Sequence, residues 1–269
     1  MSLDKKYSRL KDILDRSGSA LIAFSGGVDS TFLLRVARDV LGPDQVIALT
    51  ATSPTYPRHE FELSSRLAKE FGVKQIVLES NELEIEGFSQ NPPDRCYHCK
   101  RELFGLCRTK AQDLGYQAIF DGSNCDDLQD HRPGRRAGEE LQVRSPLIEA
   151  GLDKNDIRAL SRELGLETWD KQPFACLSSR FPYGVEITPE RLARVDRCET
   201  FLRECGFRTY RVRFHDDMAR IELAPQELSR LLEDKLRQAV VEEFKKAGFT
   251  YVALDLQGYR SGSMNEILT

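Results

Sequence analysis

The run Ser25-Gly26-Gly27-Val28-Asp29-Ser30 carries the residue types that hold a phosphate chain. Gly26 and Gly27 let the backbone approach an anion with no Cβ in the way. Ala20-Leu21-Ile22-Ala23-Phe24 before it reads as a buried strand. The periodic Phe32, Leu33, Val36, Ala37 and Val40 after it read as a helix over 31–41, stopped by Gly42. A strand that turns on glycines into a helix N-terminus presents unpaired N–H groups at the positive end of the helix dipole. Ser25, Ser30 and Thr31 add hydroxyl donors. Asp29 is the exception, because a carboxylate repels phosphate unless a cation such as Mg²⁺ lies between them. The lysine of GxxxxGK[ST] is missing, so this is not a Walker-type loop.

Two further constellations carry chemistry. Cys96-Tyr97-His98-Cys99 sets two thiols on one face of a helix or its first turn, a spacing suited to a zinc ion, an iron–sulfur cluster or a dithiol. A structural zinc site needs two more ligands, and the chain has no second CxxC. Cys176, in Phe174-Ala175-Cys176-Leu177-Ser178-Ser179-Arg180, is the distant candidate for a third sulfur. Three thiolates on a [4Fe-4S] cluster would leave one iron open to an exogenous sulfide. Arg211 and Arg213 alternate along Tyr210-Arg211-Val212-Arg213-Phe214 and so share a strand face. Two guanidiniums side by side repel unless an anion or carboxylates join them, and their forks suit phosphate. Glu199, on the preceding helix, is expected to hold one of them. Gly258-Tyr259-Arg260-Ser261-Gly262 is another basic segment, either closing over an anion or serving as a tail.

These residues need elements to place them. The pattern reads as a helix ending over 10–16, strands at 20–24, 46–50, 75–78 and 118–120, and helices over 58–71 and from about 95. Strands alternating with helices of this size imply a parallel sheet with crossovers, in which ligands gather at the carboxyl ends of the strands. Asp121, Asn124, Asp126 and Asp127 follow the fourth strand, where they either hold Mg²⁺ against phosphates or serve as caps and turns. Residues 129–136 read as a polar loop, a capped helix spans 153–164, and 167–170 reads as a short last strand. After Tyr183-Gly184 the texture changes to a small α+β unit. Its helix opens on Thr188-Pro189, strands follow at 210–214, 219–223 and 251–256, and a helix covers 226–246. The expected domains are 1–184 and 185–269.

The totals describe an ordinary soluble chain: 269 residues, 40% apolar and 30% charged. A net charge of −4 argues against a large nucleic-acid footprint. No apolar run reaches membrane-spanning length and no signal peptide opens the chain, so a cytoplasmic location is expected. Seven cysteines at irregular spacing point to metal or reactive thiols rather than disulfides.

Ser25–Ser30 resembles the PP-loop of the ATP pyrophosphatases, which split ATP into AMP and pyrophosphate. The family also has an Asp-rich segment after the fourth strand, which brings Asp127 into the expected nucleotide site. Together with Ser145-Pro146-Leu147, Cys176–Gly184, Arg211–His215 and Leu254–Gly262, the chain resembles the LarE family over nearly its whole length. That resemblance implies a Rossmann-like fold of the adenine nucleotide alpha hydrolase type. It also implies a sulfur transferase that adenylates the carboxylates of pyridinium-3,5-biscarboxylic acid mononucleotide and converts them to thiocarboxylates, for the nickel-pincer cofactor of lactate racemase.

The residue roles it implies are these. Ser25, Gly26, Gly27, Asp29 and Ser30 bind ATP phosphates, with Asp29 near Mg²⁺. Ser179 and Arg180 contact pyrophosphate or substrate. Arg211 and Arg213, oriented by Glu199, receive the substrate phosphate, with Arg260 close by. In one type of family member a lone cysteine at the position of Cys176 gives up its own sulfur. In the other, three cysteines hold a [4Fe-4S] cluster, and Cys96, Cys99 and Cys176 favour that type. A homo-oligomer, up to a hexamer, and other nickel-pincer biosynthesis proteins are the implied partners. A tRNA-thiolating enzyme, an ammonia-dependent amide synthetase and a nucleotide-binding regulator are the alternatives. The first would want a basic RNA-binding module, the second has no use for Cys96 and Cys99, and the third would release no pyrophosphate.

Overall fold

A computed structural model describes residues 1–128, 134–172, 175–260 and 262–268. The chain divides into two compact units, one of Met1–Ile85 with Asp94–Phe174 and one of Glu86–Pro93 with Ala175–Thr269.

In the first unit, strands β1 (Ala20–Ala23), β2 (Val46–Thr52), β3 (Lys74–Glu79) and β4 (Ala118–Phe120) form a parallel sheet in the order β3-β2-β1-β4. The central strands β1 and β2 are buried on both faces, as helical crossovers require, whereas no residue of the edge strand β3 is fully buried. Ala20, Ile22, Val46 and Ala48 pack with Phe32, Leu33 and Val36 of helix α2 (Val28–Leu41) and with Leu10 and Leu14 of α1 (Leu3–Asp15). Leu21, Ile47 and Leu49 pack with Cys107 and Ala111 of α4 (Arg95–Leu114). Helices α3 (Arg58–Glu70), α5 (Gly134–Glu140), α6 (Pro146–Ala150) and α7 (Lys154–Glu163) complete the layers. This is the expected Rossmann-like arrangement.

In the second unit, α8 (Pro189–Glu204) precedes β5 (Tyr210–His215) and β6 (Met218–Leu223), which pair antiparallel. After α9 (Leu228–Leu231) and α10 (Asp234–Lys246), β7 (Tyr251–Leu254) returns parallel to β6. Phe214 on β5 stacks between Phe181 and Phe249 at centroid distances of 4.9 and 6.0 Å. The excursion 86–93 belongs here because Asn91 donates to Phe181 O and Pro182 O at 3.1 and 2.7 Å, and Ile187 N donates to Ser89 O at 2.8 Å. Cys176–Tyr183, expected in the first domain, also lies in this unit.

Several boundaries differ from the sequence reading. Helix α2 begins at Val28, so Asp29 and Ser30 lie in its first turn. Residues 167–170 are turns, not a strand: Trp169 N donates to Leu166 O and Lys171 N to Thr168 O. The free edge of β4 is taken by Arg144, whose N donates to Ile119 O and whose O accepts from Asp121 N. Within the expected polar loop, 129–133 lie outside the described residues, while 134–136 begin α5, with Gly134 pressed on Lys100 and Cys96 O. The helix expected over 226–246 is broken. A 3₁₀ turn at Pro225–Glu227 leads into α9, and an extended Glu233 separates α9 from α10. Strand β7 stops at Leu254, because Asp255 turns back to receive Gln257 N.

Candidate functional site

The loop between β1 and α2 is drawn tight by local chemistry. Gly26 has φ 64°, and a Cβ there would lie 3.1 Å from Ser64 Cβ on α3, so both conformation and space require glycine. Ser25 Oγ and Ser30 Oγ are 3.1 Å apart, and Ser30 Oγ also reaches Gly27 O at 3.3 Å. Gly122, just past β4, passes so close that an added Cβ would sit 2.9 Å from Ser30 N. The β4 end is therefore packed on the start of α2, at the carboxyl ends of the strands where open parallel sheets bind ligands.

Asp29 divides its two oxygens. Oδ2 accepts from Lys154 Nζ at 2.5 Å, while Oδ1 is buried with no hydrogen-bond partner among the described residues. Lys171 Nζ donates to Gly26 O at 3.0 Å and contacts Glu60 Oε2 at 2.5 Å. The sequence reading missed both lysines. They lie 125 and 145 residues from the loop groups they touch, and no local pattern announces such a contact.

The acidic stretch after β4 braces turns. Asp121 accepts from Ser123 Oγ and Ser145 Oγ, both at 2.6 Å, with Lys100 Nζ at 3.6 Å. Asp127 Oδ2 accepts from Asn124 N at 3.0 Å, and Asp126 Oδ2 from Lys154 N at 3.0 Å. Ser145 and Lys154 thereby tie the later helices to the strand end.

Cys96 and Cys99 sit in the first turns of α4, the first exposed and the second half-buried. Cys99 Sγ donates to Glu82 Oε1 at 2.9 Å, and Glu82 Oε2 accepts from Ser53 and Thr55. Among the described residues, no three His, Cys, Asp or Glu side chains gather into a metal-holding group. The iron–sulfur expectation therefore rests on the chemistry of its thiols.

In the second unit, the half-exposed Cys176 opens a 3₁₀ turn over Leu177–Arg180. Arg180 is 1% exposed, and its guanidinium is committed to the protein. It donates to both oxygens of Glu199 at 2.8 Å, to Ala175 O at 2.7 Å, to Cys176 O at 3.2 Å and to Ser179 Oγ at 2.8 Å. Burial alone would push the Glu199 carboxyl up, but Arg180 outweighs it and holds the group below the usual range. Glu199 accepts from Arg180 and from Val212 N, and its charge also acts on Arg211.

Arg213 is held instead by Glu222 at 2.7 Å, a fully buried residue on β6, with Ser263 Oγ at 3.0 Å and Ser179 O at 2.9 Å. Register places Arg211 opposite Glu222 and Arg213 opposite Arg220, so three arginines and one glutamate share this face. Arg211 stands with its guanidinium 5.0 Å from the Tyr259 ring centroid, and burial and the Arg180 charge push its pKa down. The Nε groups of Arg213 and Arg220 are buried without a hydrogen-bond partner among the described residues. Arg260 reaches Asp255 at 3.9 Å and Glu266 at 3.1 Å. Arg220 Nε also lies 3.8 Å from Asp255 Oδ2, and Arg211 donates to Tyr210 O at 2.6 Å.

Comparison with known proteins bears on both units. Residues 4–98 match the family described as NAD synthase. Over 248 residues the chain is 42% identical to the pyridinium-3,5-bisthiocarboxylic acid mononucleotide synthase of Lactiplantibacillus plantarum, covering 92% of this chain and 89% of that protein. The chain belongs to the LarE family. It is also 44% identical to an uncharacterized protein of Synechocystis sp. over 99% of each chain. An uncharacterized protein of Methanocaldococcus jannaschii is 30% identical over 96% of this chain and 98% of its own. Within this LarE-family chain the NAD synthase match spans the PP-loop and the first three strands, whereas the longer similarities run through the arginine face as well. No helix among the described residues is long and apolar enough to cross a membrane.

Proposed function

We propose that this LarE-family chain is an ATP-dependent sulfurtransferase that converts the carboxylates of pyridinium-3,5-biscarboxylic acid mononucleotide to thiocarboxylates. The observation that carries the reading is the 42% identity, over 92% of the chain, to a protein named for the bisthiocarboxylic product. A carboxylate is a poor acyl donor because its leaving group would be oxide. One of its oxygens attacks the α-phosphorus of ATP, the bond to pyrophosphate breaks, and an acyl adenylate forms. A sulfur nucleophile then adds to the acyl carbon, and AMP leaves with the oxygen, so that C–S replaces C–O.

The geometry supports the roles we assign. The N–H groups at Gly26–Ser30 and the hydroxyls of Ser25 and Ser30 receive the ATP phosphates and stabilise the charge that builds on pyrophosphate. The orphaned Asp29 Oδ1 fits a bound Mg²⁺, an ion satisfied by carboxylate oxygen and phosphates. Arg211 and Arg213 take the phosphate of the nucleotide substrate, supported by their place on one strand face and by the Arg213 Nε, which has no hydrogen-bond partner among the described residues. Arg180, Ser179 and Glu199 hold the Cys176 turn in shape. Asp127 steadies the turn after β4, and Arg260 borders the arginine face.

Cys96, Cys99 and Cys176 would hold a [4Fe-4S] cluster, which when bound supplies an iron site for a transferable sulfide. The chemistry of the donor set supports this, being three soft thiols, two of them three residues apart in the first turns of α4. We carry a cytoplasmic homo-oligomer working with other nickel-pincer assembly proteins as part of the same reading.

The test is a turnover assay on protein purified without oxygen, reading pyrophosphate and the mass of the product. Pyrophosphate released only when the dicarboxylate is present, with thiocarboxylate formed, is the expected result. Release without thiocarboxylate would overturn sulfur transfer in favour of an amide-forming ligase. Iron and acid-labile sulfide, about four of each per chain and lost in Cys96→Ser, Cys99→Ser and Cys176→Ser, are expected. Metal-free protein whose Cys176 loses its sulfur after one turnover would replace the cluster with sacrifice of that residue.

A further inference from the structure

Phosphate sites of the Walker type carry their own lysine. This loop has none, and two of its carbonyls are instead gripped from outside. Tyr56 Oη donates to Ser25 O at 2.9 Å, and Lys171 Nζ donates to Gly26 O at 3.0 Å. Lys171 is seated on Glu60, 2.5 Å away, with only 17% and 6% of the two side chains exposed. Arg158 fixes the backbone beneath it, donating to Trp169 O and Lys171 O at 2.7 Å each.

The direction of these bonds matters more than their number. In a trans peptide the C=O and the following N–H point opposite ways. Ser25 O shares a peptide with the Gly26 N–H, and Gly26 O with the Gly27 N–H. A hold on both carbonyls therefore aims both N–H groups away from the residues that grip them. Gly26, at φ 64°, has the positive φ found where successive N–H groups converge into an anion nest.

We propose that Lys171, seated on Glu60, and Tyr56 are positioning residues that aim the Gly26 and Gly27 N–H groups at the β- and γ-phosphates of ATP. The assignment rests on the ATP reading above. The donors are suited to constant duty. Burial raises the Tyr56 pKa and keeps the phenol protonated. Burial would also raise the Glu60 pKa, but His59 and Lys171 outweigh it and keep the carboxylate charged. Glu60 and Ser64 lie on α3 one turn apart, so a single helix braces the lysine and the back of Gly26.

The test is calorimetric binding of α,β-methylene-ATP, pyrophosphate and AMP to the full chain. Lys171→Met is expected to weaken the ATP analogue and pyrophosphate about tenfold, the loss of one charge-assisted hydrogen bond. AMP affinity should stay at the wild-type value, because AMP has no β- or γ-phosphate. Lys171→Arg should restore most of the loss, and Tyr56→Phe and Glu60→Gln should each show a smaller loss with the same selectivity. Unchanged affinity for the analogue in Lys171→Met overturns the assignment. So does an equal loss for AMP, which would report general damage to the fold. Should Lys171→Met fail to fold, unchanged pyrophosphate affinity in both Tyr56→Phe and Glu60→Gln overturns it as well. Wild-type protein that binds no ATP analogue overturns the ATP reading too, whereas variants that match the wild type overturn only this assignment.

Discussion

The PP-loop of the first unit and the arginine face of the second both gather positive charge, but from different material. The loop uses backbone N–H groups, fixed in place by a glycine conformation and a helix start. The arginine face uses side-chain charges taken out of water, Arg180 with Glu199 and Arg213 with Glu222. Backbone donors carry partial charge and need no counterion, so their cost is conformational. Buried guanidiniums carry full charge, and each must be matched by a carboxylate or by the ligand. The two regions should therefore fail differently when perturbed.

The largest effect is expected at Glu199→Ala, which strands Arg180 in the interior and should cost about 3–5 kcal/mol. Denaturant unfolding measures it, and a loss under about 1 kcal/mol would make the pair no stronger than a surface one. Adding Arg180→Met to Glu199→Leu should recover much of that stability, because packed apolar groups replace a buried pair at little cost. The Cys176 turn should nevertheless stay loosened, since it loses the bonds from Arg180 to Ala175 O and Cys176 O. Faster amide exchange at 176–180 would report that.

In the loop the corresponding break is conformational. Gly26→Ala forces a Cβ into a left-handed backbone and against Ser64, with an expected loss of about 1–2 kcal/mol. ATP binding should suffer more than stability, and a variant that keeps full ATP affinity would separate the loop from the nucleotide.

Acid should sharpen the contrast. Glu199 and Glu60 are both held below the usual 4.5, so the unfolded chain binds their protons first as pH falls. Their stabilisation is complete above the ordinary carboxylate range and is lost as pH drops through the folded values. Glu199→Gln should flatten the acid limb of the stability curve below about pH 4.5 relative to wild type. An unchanged limb would place the acid sensitivity elsewhere. The smallest effects should be equal in the two units. Asp153→Ala in the capping box of α7 and Thr188→Ala at the start of α8 should each cost about 1 kcal/mol in thermal unfolding.

Legibility followed the same division. Strand, glycine turn and helix start are neighbours in the chain, and Ser25–Ser30 reads directly as a phosphate device. The caps at Asp153 and Thr188 are equally local. Residues 167–170 misled because their apolar and β-branched residues satisfy a strand pattern, while the edge of β4 was already taken by Arg144. The break at Glu233 carries no glycine or proline, so helical periodicity ran across it.

Ion-pair partners were the least readable. Glu199 precedes Arg211 and Arg213 closely enough to suggest a pairing, yet its carboxylate faces Arg180, and Glu222 on the adjacent strand claims Arg213. A charge's partner is whatever the fold delivers within about 3 Å, and sequence distance says little about that.

By itself, then, the sequence determined the class of fold, the phosphate loop, the thiols and the family, because periodicity, turn chemistry and motif spacing act over a few residues. The tertiary structure alone decided that Lys171 and Lys154 reach the loop, that Arg180 is buried against Glu199, and that residues 86–93 join the second unit. Those contacts join residues far apart in the chain, and packing chooses them only after the local elements exist.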